Sequence, residues 1–258
     1  MFATALFCYF VGTLKYLLYL YARRPIIFHV GTGAVVTGFL AHSLDFVLRM
    51  QTVGHFPYGG WHDSMSALAW AIVLAYLLAQ IRYRMMALGA FVLPVAFALT
   101  GYAALLPPSQ VGALPGLRGL LLASHVGLAL LGVGAFTVLF AGALMFILQE
   151  AQLKSRRPGA LFHRLPSLSS LDELNGRALL VGFPLLTLSL VTGSLWAQVA
   201  RGSFWSWDPV RTWPLVLIWL SFGLLCVLRL MKSWRGKRAA LVSLVGFGAV
   251  ALAYIVHI

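Results

Sequence analysis

Acidic side chains are almost missing from this chain: six Asp and Glu stand against 19 Lys and Arg in 258 residues, and charged residues of both signs make up only 10%. A soluble domain of this size carries about a quarter of its residues as charges, so an ordinary water-soluble globule is excluded. With 61% hydrophobic residues and a mean hydropathy of +0.90, the chain reads as a polytopic membrane protein. Cysteine is scarce too. Cys8 and Cys226 both lie in apolar runs and form neither a CxxC pair nor a metal-ligand spacing, which argues against disulfide and thiol chemistry. The features of a cleavable leader are also lacking: MFATALFCYFVGTLKYLLYLYARR has no basic residue ahead of its apolar stretch and no small-residue cleavage site after it, so no leader is expected to be removed. It reads as a retained first span. Repeats of fixed period and low-complexity tracts are absent, so residues 1–258 are expected to form one all-α integral membrane domain.

A span needs about 20 mostly apolar residues to cross a hydrocarbon layer of roughly 30 Å. Eight such runs are present, at about 2–21, 26–48, 64–81, 85–105, 120–148, 178–199, 213–231 and 239–256. The connection from Glu150 to Arg177 contains LPSLSSLDELNGR, expected to be a separate interfacial helix capped by a serine. Lys and Arg crowd alternate connections: Arg23 and Arg24; Arg82 and Arg84; Lys154, Arg156, Arg157, Arg164 and Arg177; Arg229, Lys232, Arg235, Lys237 and Arg238. Only Arg49, Arg118, Arg201 and Arg211 fall on the other side. By the positive-inside bias, both termini are expected on the external, periplasmic side. The net charge of +13 is then a topological signature rather than a nucleic-acid footprint.

Where charges are so few, each polar group at membrane depth is informative, because burying one without a partner costs several kcal/mol. On this topology His55 and His62 fall in the external second-to-third loop, His42 toward the external end of the second span, His125 at the external start of the fifth and His257 at the end of the eighth. Taken singly, such a histidine is an interfacial group with a satisfied hydrogen bond. Together they suggest a cofactor that takes two nitrogen ligands. Heme fits: its iron takes axial imidazoles, its macrocycle stacks on indoles, and its propionates call for Arg or indole N–H donors. Zinc fits less well, since no tight Cys or His spacing recurs. Trp61, Trp70, Trp213, Trp219 and Trp234 are read as an aromatic belt at the membrane interfaces. The stretch GSLWAQVARGSFWSWDPVRTW resists that reading, because alternating Trp205 and Trp207 followed by Asp208 and Pro209 look like a shaped loop. Asp208 has two open roles, a cap on the seventh helix or a contact to the cofactor.

GSLWAQ followed by GSFWSWDP resembles the tryptophan-rich WWD signature of the cytochrome c assembly family, in its CcsA (ResC) branch with HemX-like relatives. The pattern WGxxWxWD is matched at Gly202, Trp205, Trp207 and Asp208, and Trp196 matches the tryptophan ahead of it, which puts the segment at about 196–213. GHFPYGGWHDSMSALAW, with Pro57 and Asp63, is similar to the family's outer loop; SHVGLALLGVGAF is similar to the segment with the external histidine; WRGKRAAL is similar to the basic turn before the last helix. The likeness covers nearly the whole chain. It implies a heme-handling protein of cytochrome c biogenesis, of the system II type, in a bacterial plasma membrane. Heme would be held at the external face between His125 and His257, with His42, His55 and His62 as alternative axial ligands. Trp196, Arg201, Gly202, Trp205, Trp207 and Asp208 would line it. It would be presented to a CxxCH apocytochrome c, alongside a CcsB (ResB)-type partner in the bilayer.

The sequence departs from the family pattern in three places. Arg201 stands where the first tryptophan is usual, Val210 and Arg211 replace a Lys-Glu pair, and the histidine expected in the inner half of the seventh span is apolar, near Cys226 and Val227. Arg201 and Arg211 suit propionates or lipid headgroups. The lost histidine favours an alternative, a HemX-like accessory protein that regulates heme-pathway enzymes without delivering heme. No Ser-His-Asp or Cys-His nucleophile arrangement is present, which argues against a hydrolase. Lys15 is the only deeply placed charge and no paired interrupted spans occur, which argues against a transporter.

Overall fold

The computed structural model describes the chain except residues 23, 55–58, 109–115, 156–158, 160–161, 205–211, 232–233 and 258, and the side chains of 212, 214 and 254–257. Among the described residues eight helices follow in order: α1 (Phe2–Ala22), α2 (Pro25–Val53), α3 (Gly60–Tyr83), α4 (Leu88–Ala104), α5 (Gly116–Lys154), α6 (Leu168–Arg201), α7 (Thr212–Leu230) and α8 (Lys237–His257). No strand occurs among the described residues. Each of the eight expected runs is helical. Among the described residues five helices, α1, α2, α3, α5 and α6, are long and apolar enough to cross a membrane, while α4 and residues 215–230 of α7 are shorter apolar helices. The chain is a multi-pass helical membrane protein.

Several helices outrun the hydrophobic windows. LPSLSSLDELNGR is not a separate interfacial helix; it supplies the N-cap and opening turns of α6. The Ser167 hydroxyl accepts the Ser170 N–H at 3.2 Å, as an N-cap should. From there the buried stripe Leu171, Leu174, Leu179 and Gly182 runs on at helical spacing without a break, so nothing separates the polar turns from the apolar ones.

The helices form two compact units, one of residues 1–113 with 163–165 and one of 114–162 with 166–258. In the first, α1 packs on α2 and α4, and α3 packs on the same two; in the second, α5 packs on α6 and α8, and α7 on the same two. Short connections make consecutive helices antiparallel neighbours, and the same cyclic order arises in each unit without any fixed sequence period.

The first unit is held by close backbones and by polar contacts, as expected where lipid removes the hydrophobic drive between helices. A Cβ at Gly38 would come within 2.7 Å of Cys8 Cβ, so α1 and α2 meet only because glycine stands there. Tyr76 donates its hydroxyl proton to Tyr16 at 2.8 Å, and the Trp70 indole donates to Ser43 Oγ at 2.8 Å. Trp70 also stacks between Phe39 and Phe46, so it belongs to this packing rather than to an interfacial belt.

In the second unit, α5 and α6 form a close hairpin. Phe136, fully buried, stacks on Phe222 with ring centroids 4.3 Å apart. Asp172 ties three helices together: its carboxylate meets Arg229 of α7 at 3.0 Å and accepts the Gly236 N–H, just ahead of α8, at 2.9 Å. Gly142 of α5 lies directly against the Asn175 side chain of α6, and the buried Asn175 Oδ1 has no hydrogen-bond partner among the described residues. An added Cβ would overlap that oxygen. Gly142→Ala is therefore expected to lower stability by about 1–3 kcal/mol through overpacking. Reversible unfolding in mixed micelles should show the loss, and Asn175→Ala in the same chain should restore most of it by opening the space.

Candidate functional site

Among the histidines, His125 has the most specific surroundings. It is the tenth residue of α5, well inside the helix. Its Nδ1 lies 2.7 Å from the main-chain carbonyl oxygen of Ser189 on α6. A carbonyl oxygen only accepts, and a bare ring nitrogen at that distance would repel it, so Nδ1 carries the proton. In the neutral ring Nε2 then keeps its lone pair, which is the form that binds a metal. The Ser189 hydroxyl, 3.1 Å from the His125 carbonyl, donates back across the same gap. Each residue thus uses its side chain to hold the other's main chain. One turn further along α6, a Cβ at Gly193 would stand 2.6 Å from Nδ1 and 2.8 Å from Cε1 of the ring. Only a hydrogen fits there.

Ser189, Gly193 and Trp196 recur at i, i+4 and i+7 and share one stripe of α6. The Trp196 Nε1 is buried and unpartnered among the described residues, an N–H donor without an acceptor. The guanidinium of Arg201 lies 5.2 Å from the centre of the Trp196 ring, a cation–π contact. Gly202 ends the helix with φ of 77°, where glycine pays no Cβ penalty, and its N–H reaches the Gln198 carbonyl at 2.9 Å. Trp205, Trp207, Asp208 and Pro209 lie outside the described residues, as do His55 and Pro57. His257 is the last residue of α8, and its side chain is outside the description too.

The remaining two histidine candidates belong to the first unit. His42 is fully buried, with Tyr9 Oη 3.2 Å from Nδ1 and Ser66 Oγ 2.9 Å from Nε2. Both nitrogens are engaged, one as donor and one as acceptor, so the ring's lone pair is not free without breaking a bond. His62 differs, because its Nδ1 lies 2.8 Å from the Ala103 carbonyl oxygen, which leaves Nε2 bare by the argument used for His125. It is not in a loop as expected; α3 starts at Gly60, and Trp61, His62 and Asp63 form its first turn. A carboxylate suits that position, near the positive end of the helix dipole. Asp63 is only 4% exposed and takes Arg49 Nε at 2.7 Å and Nη2 at 3.0 Å, a bidentate pair that the sequence reading missed.

Cys226 lines a groove of about 660 Å³ together with Phe183, Pro184, Trp219 and Gly223, between α6 and α7. Trp219 is not a belt residue: its Nε1–H donates to Thr187 Oγ1 at 2.9 Å and its ring stacks on Phe183. No imidazole borders the groove among the described residues.

These features define a class: a multi-pass helical membrane protein in which two long helices clasp a metal-competent imidazole, with an unpaired indole donor and a guanidinium on the same helix. The chain belongs to the cytochrome c assembly protein family, whose model matches residues 58–257. It is 31% identical over 236 residues to the cytochrome c biogenesis protein CcsA of Prochlorococcus marinus subsp. pastoris, covering 83% of this chain and 75% of that one. It is 30% identical over 258 residues to CcsA of Porphyra purpurea, covering 84% and 80%, and 33% identical over 238 residues to CcsA of Synechococcus sp. strain CC9902, covering 83% and 78%. It is thus a CcsA-type member of the family.

Proposed function

We propose that the chain binds heme where α5 begins and α6 ends, and presents it there for covalent attachment to a CxxCH apocytochrome c. The observation that carries this reading is the His125 ring, held with Nδ1 protonated and Nε2 bare. An iron porphyrin asks for an imidazole lone pair at the metal and for donors to its propionates. His125 Nε2 suits the first need; the unpartnered Trp196 N–H and the Arg201 guanidinium suit the second. The residues present fit the group. By family resemblance His257 is the second axial ligand, and Gly202, Trp205, Trp207 and Asp208 shape the cover. Of the alternatives, His42 has both nitrogens occupied, whereas His62 keeps one free.

The chain would orient the porphyrin and leave one edge to the incoming thiols, so that attachment follows from proximity rather than from a nucleophile of its own. The distribution of Lys and Arg supports placing both termini and the tryptophan segment on the external side of a bacterial plasma membrane. A CcsB-type membrane protein is the partner this role calls for. A HemX-like accessory role is the second reading, favoured by the absence of any histidine from α7 and from the groove beside it.

The optical spectrum of the detergent-purified protein, expressed with a CcsB-type partner, separates the two. Delivery expects a low-spin, bis-imidazole heme near one per chain. Heme-free protein in the presence of the partner sinks delivery and leaves the accessory role.

A further inference from the structure

We infer that Ser189 and Gly193 are positioning residues for His125: they impose the ring tautomer and orientation that make Nε2 the coordinating atom before any iron arrives. The inference rests on the heme-binding reading of His125. A neutral histidine in water favours the proton on Nε2, the atom that would have to bind the metal. Here the 2.7 Å contact from Nδ1 to the Ser189 carbonyl reverses that preference. Nε2 has no hydrogen-bond partner among the described residues and is not among the buried unpartnered atoms. The ring is therefore tethered on one nitrogen and open on the other.

The two residues do different work. Ser189 is 2% exposed and supplies both halves of the interhelical clasp, its carbonyl accepting from Nδ1 and its hydroxyl donating to the His125 carbonyl at 3.1 Å. The hydroxyl holds α5 and α6 in the register that brings the carbonyl to the ring. Gly193 keeps clear the space the ring occupies, since a Cβ 2.6 Å from Nδ1 would drive the imidazole off the carbonyl. An N–H to carbonyl bond on the far nitrogen also makes Nε2 a more basic ligand, as outer partners of metal-bound histidines generally do.

The test is made on heme-free protein with ¹⁵N-labelled histidine, so it does not depend on activity or on heme uptake. Long-range ¹H–¹⁵N spectra report which ring nitrogen carries the proton, with His125→Gln used to assign the signals. In wild-type His125 the ratio of Nδ1–H to Nε2–H is expected to exceed that of histidine in water by at least about fivefold, the worth of one net hydrogen bond, with Nδ1–H the major form. Gly193→Ala should return the ring toward Nε2–H. Ser189→Ala should lower the ratio, and Ser189→Thr, which keeps the hydroxyl, should restore it, so the inference stays testable if Gly193→Ala does not fold. Wild-type protein with Nε2–H dominant overturns it, as does a folded Gly193→Ala variant with the wild-type ratio. Heme titration of the same samples is a separate readout. A wild-type Nδ1–H tautomer with no heme uptake defeats the heme reading and leaves the positioning of His125 standing.

Discussion

His125→Ala should abolish the low-spin heme spectrum and weaken heme binding by more than about 100-fold, since changes merely behind a metal ligand already cost 10- to 100-fold. The loss is specific because the ring is held by main-chain and glycine contacts of α6, and none of Ser189, Gly193 and Trp196, which face it from that helix, offers a nitrogen lone pair. Imidazole added to the buffer should recover part of the spectrum by occupying the vacated place. His42→Ala provides the contrast: both of its nitrogens serve Tyr9 and Ser66, so its removal should lower stability and leave the spectrum unchanged. A wild-type spectrum in the His125 variant would remove it from the iron.

Arg49→Leu should cost about 3–5 kcal/mol of stability, because it leaves the Asp63 carboxylate buried without its cation. The carboxyl is 4% exposed and takes both of its short contacts from one guanidinium, so no water-facing alternative is at hand. Replacing both partners, Arg49→Met with Asp63→Leu, should come within about 1 kcal/mol of wild type, since the desolvation of two charges is then removed along with their attraction. Reversible denaturation in micelles of fixed composition measures both. A single variant as stable as wild type would mean that the ion pair holds nothing in place.

All eight helices are legible in the sequence, because about 20 apolar residues have few other uses in a chain this greasy. Their ends are not. RMQTV at the end of α2, WHD at the start of α3, QEAQLK at the end of α5 and SSLDELNGR at the start of α6 are helical through caps and ion pairs, such as Lys154 with Glu150 at 2.7 Å, which hydropathy does not register. The site shows the same division. His125 and Trp196 stand out by residue type and motif, whereas a carbonyl acceptor at Ser189 has no sequence signature. Gly193 opens the very stretch GSLWAQ, yet its missing side chain means something only when the ring across from it is known. Trp70 and Trp219 read as belt residues because an indole looks alike at an interface and in a core; Ser43 and Thr187, their acceptors, make the difference.

The lengths of α5 and α6 set how far the partner of the proposed function would have to reach. With 39 and 34 residues, they measure about 58 and 51 Å at 1.5 Å per residue. A hydrocarbon layer is only about 30 Å thick, and an ordinary tilt of about 20° shortens the projection by roughly 6%. Shared evenly, the excess of the tilted helix leaves about 12 Å of α5 beyond the hydrocarbon at each end, measured along the membrane normal. His125, nine residues from the first residue of α5, is about 14 Å along the helix and about 13 Å along the normal at that tilt, which on even sharing falls at the hydrocarbon boundary. On the proposed function, a water-borne polypeptide would meet that imidazole without entering the oily layer, and only the flat, mostly apolar heme would need to partition into it.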